Sequence, residues 1–449
     1  MQYELKQELK FLGHSDVVII GGGPGGISAA VTAARNGASV TLVEKEGQLG
    51  GMAYIGEVQP FMPNHINHKT LDGPFYIEWI KTMRKYLPQD ELPPVTENLS
   101  EWIDIRLDKF AAMFAAEDLC LEAGVRLLFH HTFFDVIKED RKIKAVVLHS
   151  KSGLSYLTAE TFIDSSGDGD LAAKAGCDFE FGDGEGDCQP MTLCFKMNGL
   201  CPEKNIPPAD ISKLWVAAKE AGEVVDAPND SIGWFHSLYD DVAHFNQTRV
   251  GGLNPLDGED LSKAEIEARR QVRQLIRFLN AKAPGFEKAK LLSMANHIGA
   301  RESRRVVGRQ WLTLEDYDAL RKYPDAIARI HYPVDVHNSK TAGFIYRPLP
   351  ECDWYEVPYG CIVAKDMDNL LISSRCLSSD HMVNSSLRVM PIMTAIGQAA
   401  GMAAAMAKES QCMISELDGV NVRKRLIDYG AKLGDLEVIP MKRENWDQP

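Results

Sequence analysis

None of the nine cysteines forms a Cys-x-x-Cys pair. That disfavours a vicinal dithiol redox centre and fits reduced thiols in a cytoplasmic protein. No run reaches the about 20 strongly apolar residues that a bilayer span needs. The longest apolar stretch, "PIMTAIGQAAGMAAAMA" (391–407), is rich in Ala, Gly and Met and reads as a buried helix. The opening "MQYELKQELKFLGHSD" lacks a basic segment followed by an apolar one, so no signal peptide is expected. Positive charge is in deficit: 49 Lys and Arg face 63 Asp and Glu, a formal net charge of −14. Binding to nucleic acid or to an anionic membrane surface needs broad positive potential. Neither partner is expected, although a local basic pocket stays open. There is no internal repeat and no low-complexity tract.

What is present is ordinary for a globular protein of two or three domains: 449 residues, 45% hydrophobic and 25% charged. The most informative stretch begins with "DVVII" (16–20), a β-branched run suited to a parallel strand buried on both faces. Gly21, Gly23 and Gly26 then make G-x-G-x-x-G. "ISAAVTAARN" (27–36) reads as a helix stopped by Gly37, and "SVTLVE" (39–44) as a second strand ending in Glu44. Gly21 permits the tight turn, Gly23 lets backbone approach a pyrophosphate, and Gly26 lets the helix pack on the strand. The helix N-terminus offers unpaired N–H groups and a positive dipole end. Glu44, 18 residues beyond Gly26, can accept ribose hydroxyls. This unit specifies a dinucleotide but does not separate NAD from FAD. A second glycine pair, Gly50 and Gly51, would let backbone run along a ribityl chain or flavin ring. "FGDGEGD" (181–187) places three acids among its glycines, which would repel phosphate, and reads as a turn.

With these residues the chain resembles the FAD-dependent oxidoreductases of the glutathione-reductase-like superfamily, in particular a poorly characterised bacterial group with a single FAD. Four segments carry the resemblance: 16–53; "TFIDSSGDGDLAAKAG" (161–176); "NHIGARESRRVVGRQWLTLEDY" (296–317) with "YPVDVH" (332–337); and 357–405, from "VPYGC" to "GMAAA". The resemblance implies an α/β fold: a Rossmann-like FAD-binding domain with parallel sheet and β-meander, interrupted by a mixed α+β substrate domain. It implies FAD contacts from Gly21, Gly23, Pro24, Gly25, Gly26, Glu44, Lys45, Gly50, Gly51 and Met52. Further contacts are implied from Ser166, Gly167 and Asp168, from Arg375, Met390, Gly397 and Gln398, and from the backbone near Val136 to adenine. The return segment reads "SSRC" (373–376) where related proteins often have Ala-Gly-Arg.

The FAD domain is expected at 1–60, 105–180 and 355–410, the substrate domain at 61–104 and 185–350, and a polar cap at 411–449. "KFAAMFAAEDLCLEAG" (109–124) reads as an amphipathic helix, with short strands after it. "PEKNIPPADISK" (202–213) reads as a loop. The run 262–285 reads as a helix with Ser262 and Glu265 as capping box, and with Arg269, Arg270, Arg273 and Arg277 on a solvated face. "NLLIS" (369–373) reads as a strand. The next helix takes in "SLRVMPIM" with Pro391 at its first position, its free N–H groups placed to stabilise negative charge on a flavin.

The chemistry must come from residues facing the flavin. Arg301, Arg304, His381 and Arg388 match positions of the family pattern and are the catalytic candidates. Guanidinium forks suit a carboxylate, a phosphate or the flavin edge, and His381 suits acid–base work. The competing readings are pairing with Glu302, Glu315 or the FAD pyrophosphate, and a histidine that only holds a loop. "RRVVGRQWLTL" (304–314) has the look of a strand, which would send Arg304 and Arg305 to opposite faces. Arg301 and Arg304 are expected near flavin or substrate, with at least one of Arg305 and Arg309 in an ordinary salt bridge. Asp335 and His337 could pair. His65 and His68 have a His-x-x-His spacing but no third ligand in view, so no metal is expected. The leading function is hydride transfer between a small polar, anionic molecule and flavin N5. A structural flavoprotein without turnover is the alternative, and a disulfide reductase the third. Homo-oligomerisation stays open.

Overall fold

The structure, a computed structural model, describes residues 6, 8–59, 61–67, 69–88, 108–204, 207–224, 228–339 and 343–434. Its centre is a seven-stranded sheet. Strands Arg126–Leu128, Val40–Val43, Lys10–Ile20 and Gly153–Asp164 lie side by side and parallel. Gly153–Asp164 then changes partner. Its first half pairs antiparallel with Lys142–Ser150, which pairs with Thr132–Glu139 to complete the meander. Its last three residues pair parallel with Leu370–Ile372. The expected α/β class with a parallel, Rossmann-like sheet is therefore observed. Val17–Ile20 and Val40–Val43 are buried throughout, as strands covered on both faces must be.

The described helices are α1 (Pro24–Arg35), α2 (Phe75–Arg84), α3 (Lys109–Glu122), α4 (Asp170–Ala175), α5 (Pro208–Glu220), α6 (Gly258–Lys282), α7 (Leu314–Asp318), α8 (His381–Leu387), α9 (Met390–Ser410) and α10 (Gly419–Tyr429). Helices α1 and α9 pack together through small residues. A methyl at Gly397 would overlap the Gly25 carbonyl, and one at Gly401 the Ala29 carbonyl. Helix α9 is long and apolar enough to cross a membrane, but its most apolar window is 89% buried within the fold.

A second core lies between residues 191 and 298. Strands Phe235–His236, Val242–Phe245, Phe195–Asn198 and Lys290–Met294 form its antiparallel sheet. Phe195 and Phe245 stack at 4.8 Å, in one cluster with Trp215 of α5 and Leu275 and Leu279 of α6. The expected grouping of 61–104 with 185–350 is divided by this packing. Phe75, Trp79 and Ile80 of α2, with Val306, Leu312, Ile327 and Val334, belong to the first core. Helix α2 packs on α1, α3 and α9, and strand Ala326–Ile330 on α9 and α10.

Four local expectations are corrected. Helix α6 starts at Gly258, where Asp257 accepts from Glu259 N and Asp260 N. Ser262 instead donates to Gly258 O inside the helix, and Glu265 accepts from Ile298 N. The proline-rich stretch read as a loop runs into α5, because Pro208 occupies a first-turn position where no N–H is needed. "SLRVMPIM" is broken after Leu387: Arg388 ends α8, and α9 begins at Met390 with Pro391 second. The tail is not simply polar, since Val422 and Leu426 of α10 are fully buried in the first core.

Candidate functional site

The carboxyl ends of the parallel strands converge on one place, the usual ligand position in such sheets. Gly21 follows the first strand with φ +106, and a methyl there would overlap the Ser165 carbonyl. Gly26 lies against the Gly21 carbonyl and Gly25 against that of Ser373. Ser165 Oγ and Ser373 Oγ hydrogen-bond across the junction. Gly23 differs: a methyl there would meet nothing closer than the Gly51 Cα at 3.9 Å. No side chain caps α1, and Pro24 opens it, so its first-turn N–H groups face that open space. Gly50 N donates to Gly22 O (2.9 Å), and Gly51 adopts φ +49 against Gly23, so this turn forms the opposite wall. Glu44 accepts from Gly22 N (2.7 Å) and Glu46 N (2.9 Å). Burial still lifts its carboxyl above the usual range. Lys45 beside it is exposed. Met52 lies between the positions that Cβ atoms of Gly56 and Gly299 would occupy, where the two cores meet.

The second strand-to-helix turn is internally braced. Asp164 accepts from Ser166 N, Ser166 Oγ and Ala172 N; burial pushes its carboxyl up to about 6. Asp168 Oδ1 accepts from Arg375 Nη2 (2.5 Å) and Ser303 Oγ (2.5 Å). Gly167 has φ +90 and faces the Arg375 guanidinium. Ser166 and Asp168 thus hold this turn through their side chains. Three other expected FAD contacts have different partners. Gln398 binds Phe75 N and Gly73 O. Gly397 meets the Gly25 backbone. Val136 N bonds the neighbouring Asp135 carboxylate, and Val136 pairs with Val146 in the meander. Met390 is the first residue of α9, whose N-terminus has no side-chain cap.

The four arginines of 301–309 separate. Only Arg304–Val306 form a strand, paired with Phe179–Phe181, and Arg301 lies in a bend before it. The alternation rule holds for this short strand. Arg304 packs over Phe179 and reaches Asp170 and Asp168 O (both 3.0 Å). Arg305 points inward, 1% exposed, onto Glu302 (2.6 Å) and Glu180 (3.2 Å), the expected salt bridge. Arg309 reaches the Ser415 carbonyl. His381 Nδ1 lies 2.8 Å from the Glu302 carboxylate that Arg305 also binds.

Arg301 and Arg388 come together instead. Arg301 Nη1 donates to Pro190 O (2.6 Å) and Thr192 Oγ1. Burial, with Arg388 nearby, pushes it down to about 9, so it stays protonated at neutral pH. Arg388 Nη2 donates to Asp335 O (3.2 Å) and Gln189 Oε1 (3.4 Å), its Nε has no partner among the described residues, and burial lowers it too. Among the described residues neither guanidinium makes an ion pair. The residue that joins the cluster is Gln189, which sequence reasoning missed. Its N–H donates to Glu302 Oε2 (3.3 Å), its Oε1 accepts from Arg388 and His337 N, and its buried Nε2 has no partner among the described residues. Among the described residues no group of three or more His, Cys, Asp or Glu side chains could hold a metal; His68 lies outside them.

Residues 16–426 match the FAD dependent oxidoreductase family. The chain belongs to that family. FAD is accordingly its cofactor, and the open face of Gly23, the uncapped α1 and the lone pairs of Glu44 fit the pyrophosphate and ribose. The oxidoreductase is 24% identical over 252 residues to the digeranylgeranylglycerophospholipid reductase of Thermoplasma acidophilum, covering 50% of this chain and 59% of that protein. The corresponding reductase of Thermoplasma volcanium is 29% identical over 157 residues, 34% of this chain and 39% of that one. The chain thus spans less than two thirds of these relatives. A solved geranylgeranyl bacteriochlorophyll reductase-like protein from Thermoplasma acidophilum aligns with TM-score 0.45 and 14% identity over 93% of this chain and 84% of its own.

Proposed function

We propose that this enzyme, within the glutathione-reductase-like group, transfers a hydride between flavin N5 and a small molecule carrying a carboxylate. The observation that carries the reading is the pair Arg301 and Arg388, half-buried near one another, with no ion pair among the described residues and the Asp335 carboxylate nearby. Two guanidiniums repel each other and are costly to desolvate, and Asp335 offsets at most one of their charges. A ligand anion supplies the missing charge, and guanidinium forks match a carboxylate in shape. Bound FAD supplies the two-electron chemistry. The chain's own part is to fix the anion between Arg301 and Arg388, beside the uncapped start of α9. Glu302 aligns this floor by holding Arg305, His381 and Gln189. We place Arg304 and Arg375 with Asp168 on the cofactor side. The second core, which presents Thr192 to Arg301, would carry substrate recognition. A dithiol route has less support: all nine cysteines are free, and burial pushes the thiols of Cys120, Cys177, Cys188 and Cys194 up to about 12.

The test is anaerobic flavin bleaching of the FAD-loaded protein by a panel of small carboxylates and their methyl esters. At least one acid should bleach it while its ester does not. Arg388→Gln should slow bleaching by about 10²-fold or more, the scale of losing a charged hydrogen-bond pair. Equal bleaching by ester and acid would remove the anionic-substrate reading. A yellow protein that no carboxylate or ester bleaches would favour a structural flavin.

A further inference from the structure

Strand Val334–His337 brings Asp335 and His337 into the arginine pocket. His337 Nε2 lies 3.5 Å from Asp335 Oδ2, with both side chains about a quarter exposed (27% and 24%) and so within reach of a ligand. Their backbone is pinned on both sides: Asp335 N donates to Ser385 Oγ (3.0 Å) and His337 N to Gln189 Oε1 (3.3 Å). The same Gln189 oxygen receives Arg388, which also reaches Asp335 O (3.2 Å). One hub therefore sets imidazole, carboxylate and guanidinium against each other. The Asp335 carboxylate favours the imidazole tautomer protonated at Nε2, which leaves Nδ1 as an acceptor without a partner among the described residues. An acceptor beside a carboxylate-binding arginine suits a proton carried close to the substrate's own carboxylate.

The charges around the pair are mixed. Burial lowers the imidazole and Asp335 raises it, while Arg301 and Arg388 lower it again. For Asp335, burial raises the carboxyl, but His337 and the two arginines outweigh that and hold it below its usual range. Tyr332 lies near Asp335 and both arginines, Tyr346 pairs with Asp335 from strand Phe344–Arg347, and α8, headed by His381, packs on strand Val334–His337.

Resting on the carboxylate reading above, we propose that His337, oriented by Asp335, is the proton acceptor for a 2-hydroxy carboxylate. The substrate's carboxylate lies on Arg301 and Arg388, and its hydroxyl faces His337 Nδ1. In the oxidation the O–H and C–H bonds break and a C=O bond forms. The proton passes to His337 Nδ1, and the hydride leaves with its electron pair to the flavin, the oxidant the family's activity supplies. Asp335 stabilises the resulting imidazolium. The reverse reaction returns both to a 2-oxo acid.

The first arm of the test is calorimetric titration of the FAD-loaded protein with oxalate, a dianion that cannot be oxidised this way, at pH 7.5 in two buffers of different ionisation enthalpy. Neutralising Arg301 and Arg388 removes charges that hold the imidazole deprotonated, so wild type should take up as much as about one proton on binding. His337→Gln should still bind, within about tenfold, but without uptake. Asp335→Asn should reduce the uptake. The second arm is anaerobic bleaching by glycolate, lactate and malate, which should slow by about 10²-fold or more in His337→Gln and lose its rise with pH. Binding without proton uptake in wild type, or uptake that persists in His337→Gln, overturns the role of His337 and leaves the arginine reading standing. Failure of wild type to bind oxalate overturns the arginine reading itself. Oxalate binding with no bleaching by any of the three hydroxy acids overturns the substrate class.

Discussion

A methyl group added at Gly25 would run into the Ser373 carbonyl, whereas one at Gly23, two residues earlier, enters open space. The same motif therefore holds one glycine needed by the fold and one needed by the ligand. Gly25→Ala should destabilise the apo protein by about 1–3 kcal/mol, the usual penalty for overpacking, read as a lower denaturant midpoint. Gly23→Ala, at φ −77, should leave that midpoint unchanged and instead reduce retained FAD, measured by absorbance after gel filtration. Equal loss of stability in both would refute the division. Asp72 offers a pH-dependent case. It is fully buried, Asn64 donates to Oδ1 (3.1 Å), Oδ2 has no partner, and burial pushes it up to about 8. Its unfolded value is about 3.9. A carboxyl raised on folding binds its proton more tightly in the native state. Its stabilising contribution is therefore present below about pH 4 and is lost as pH climbs to about 8. At about 1.4 kcal/mol per unit the upper bound is several kcal/mol. Asp72→Asn should accordingly gain stability over wild type at pH 8 and lose that advantage at pH 5, compared by urea unfolding. An advantage independent of pH would exclude ionisation as its source.

At the scale of elements, the strand, glycine turn, helix and acid of residues 16–44 were legible because each part is local chemistry. Buried β-branched runs, a turn that only glycine allows and a helix begun by proline need no distant partner. Helix α6 shows where local rules misled. Ser262 and Glu265 have capping-box spacing, but Asp257 lies five residues earlier and leaves room for more than another turn of helix. Asp257→Ala should cost about 0.5–2 kcal/mol. Ser262→Ala should cost almost nothing, because an internal serine bonded back to the i−4 carbonyl adds little. Thermal unfolding of the two variants would check the order. Arg304 and Arg301 were paired by proximity in the chain, yet a three-residue strand sent the first to Asp170 and a bend left the second with Arg388, 87 positions away. Gln189 carried no signal, since a lone glutamine in a loop acquires its role only when Glu302, His337 and Arg388 meet around it.

At the scale of the whole molecule, composition indicated an acidic globular chain, and the observed arrangement shows where its few concentrated positive charges go. Arg301, Arg388, Arg305 and Arg375 lie around the junction of the sheet with α8 and the segment 301–306. Their partners come from 168, 180, 189, 190, 192, 302, 335 and 379, so no window of sequence contains the site. Apolar residues of α2 and of 306–336 could have served either core; in the structure they join the first. The contact of α1 with α9 has one more implication. Gly25 and Gly397 lie 372 positions apart, yet the Gly25 backbone fills the space that the missing side chain of Gly397 leaves. During synthesis the dinucleotide motif emerges long before α9, which covers its helix. Pairings this distant in sequence form late and slowly. Chains ending at residue 200 should therefore retain no FAD and expose apolar surface to a hydrophobic dye, while chains that include α9 should retain FAD and bind less dye. For this protein, acquiring colour would be a record of the last folding step rather than the first.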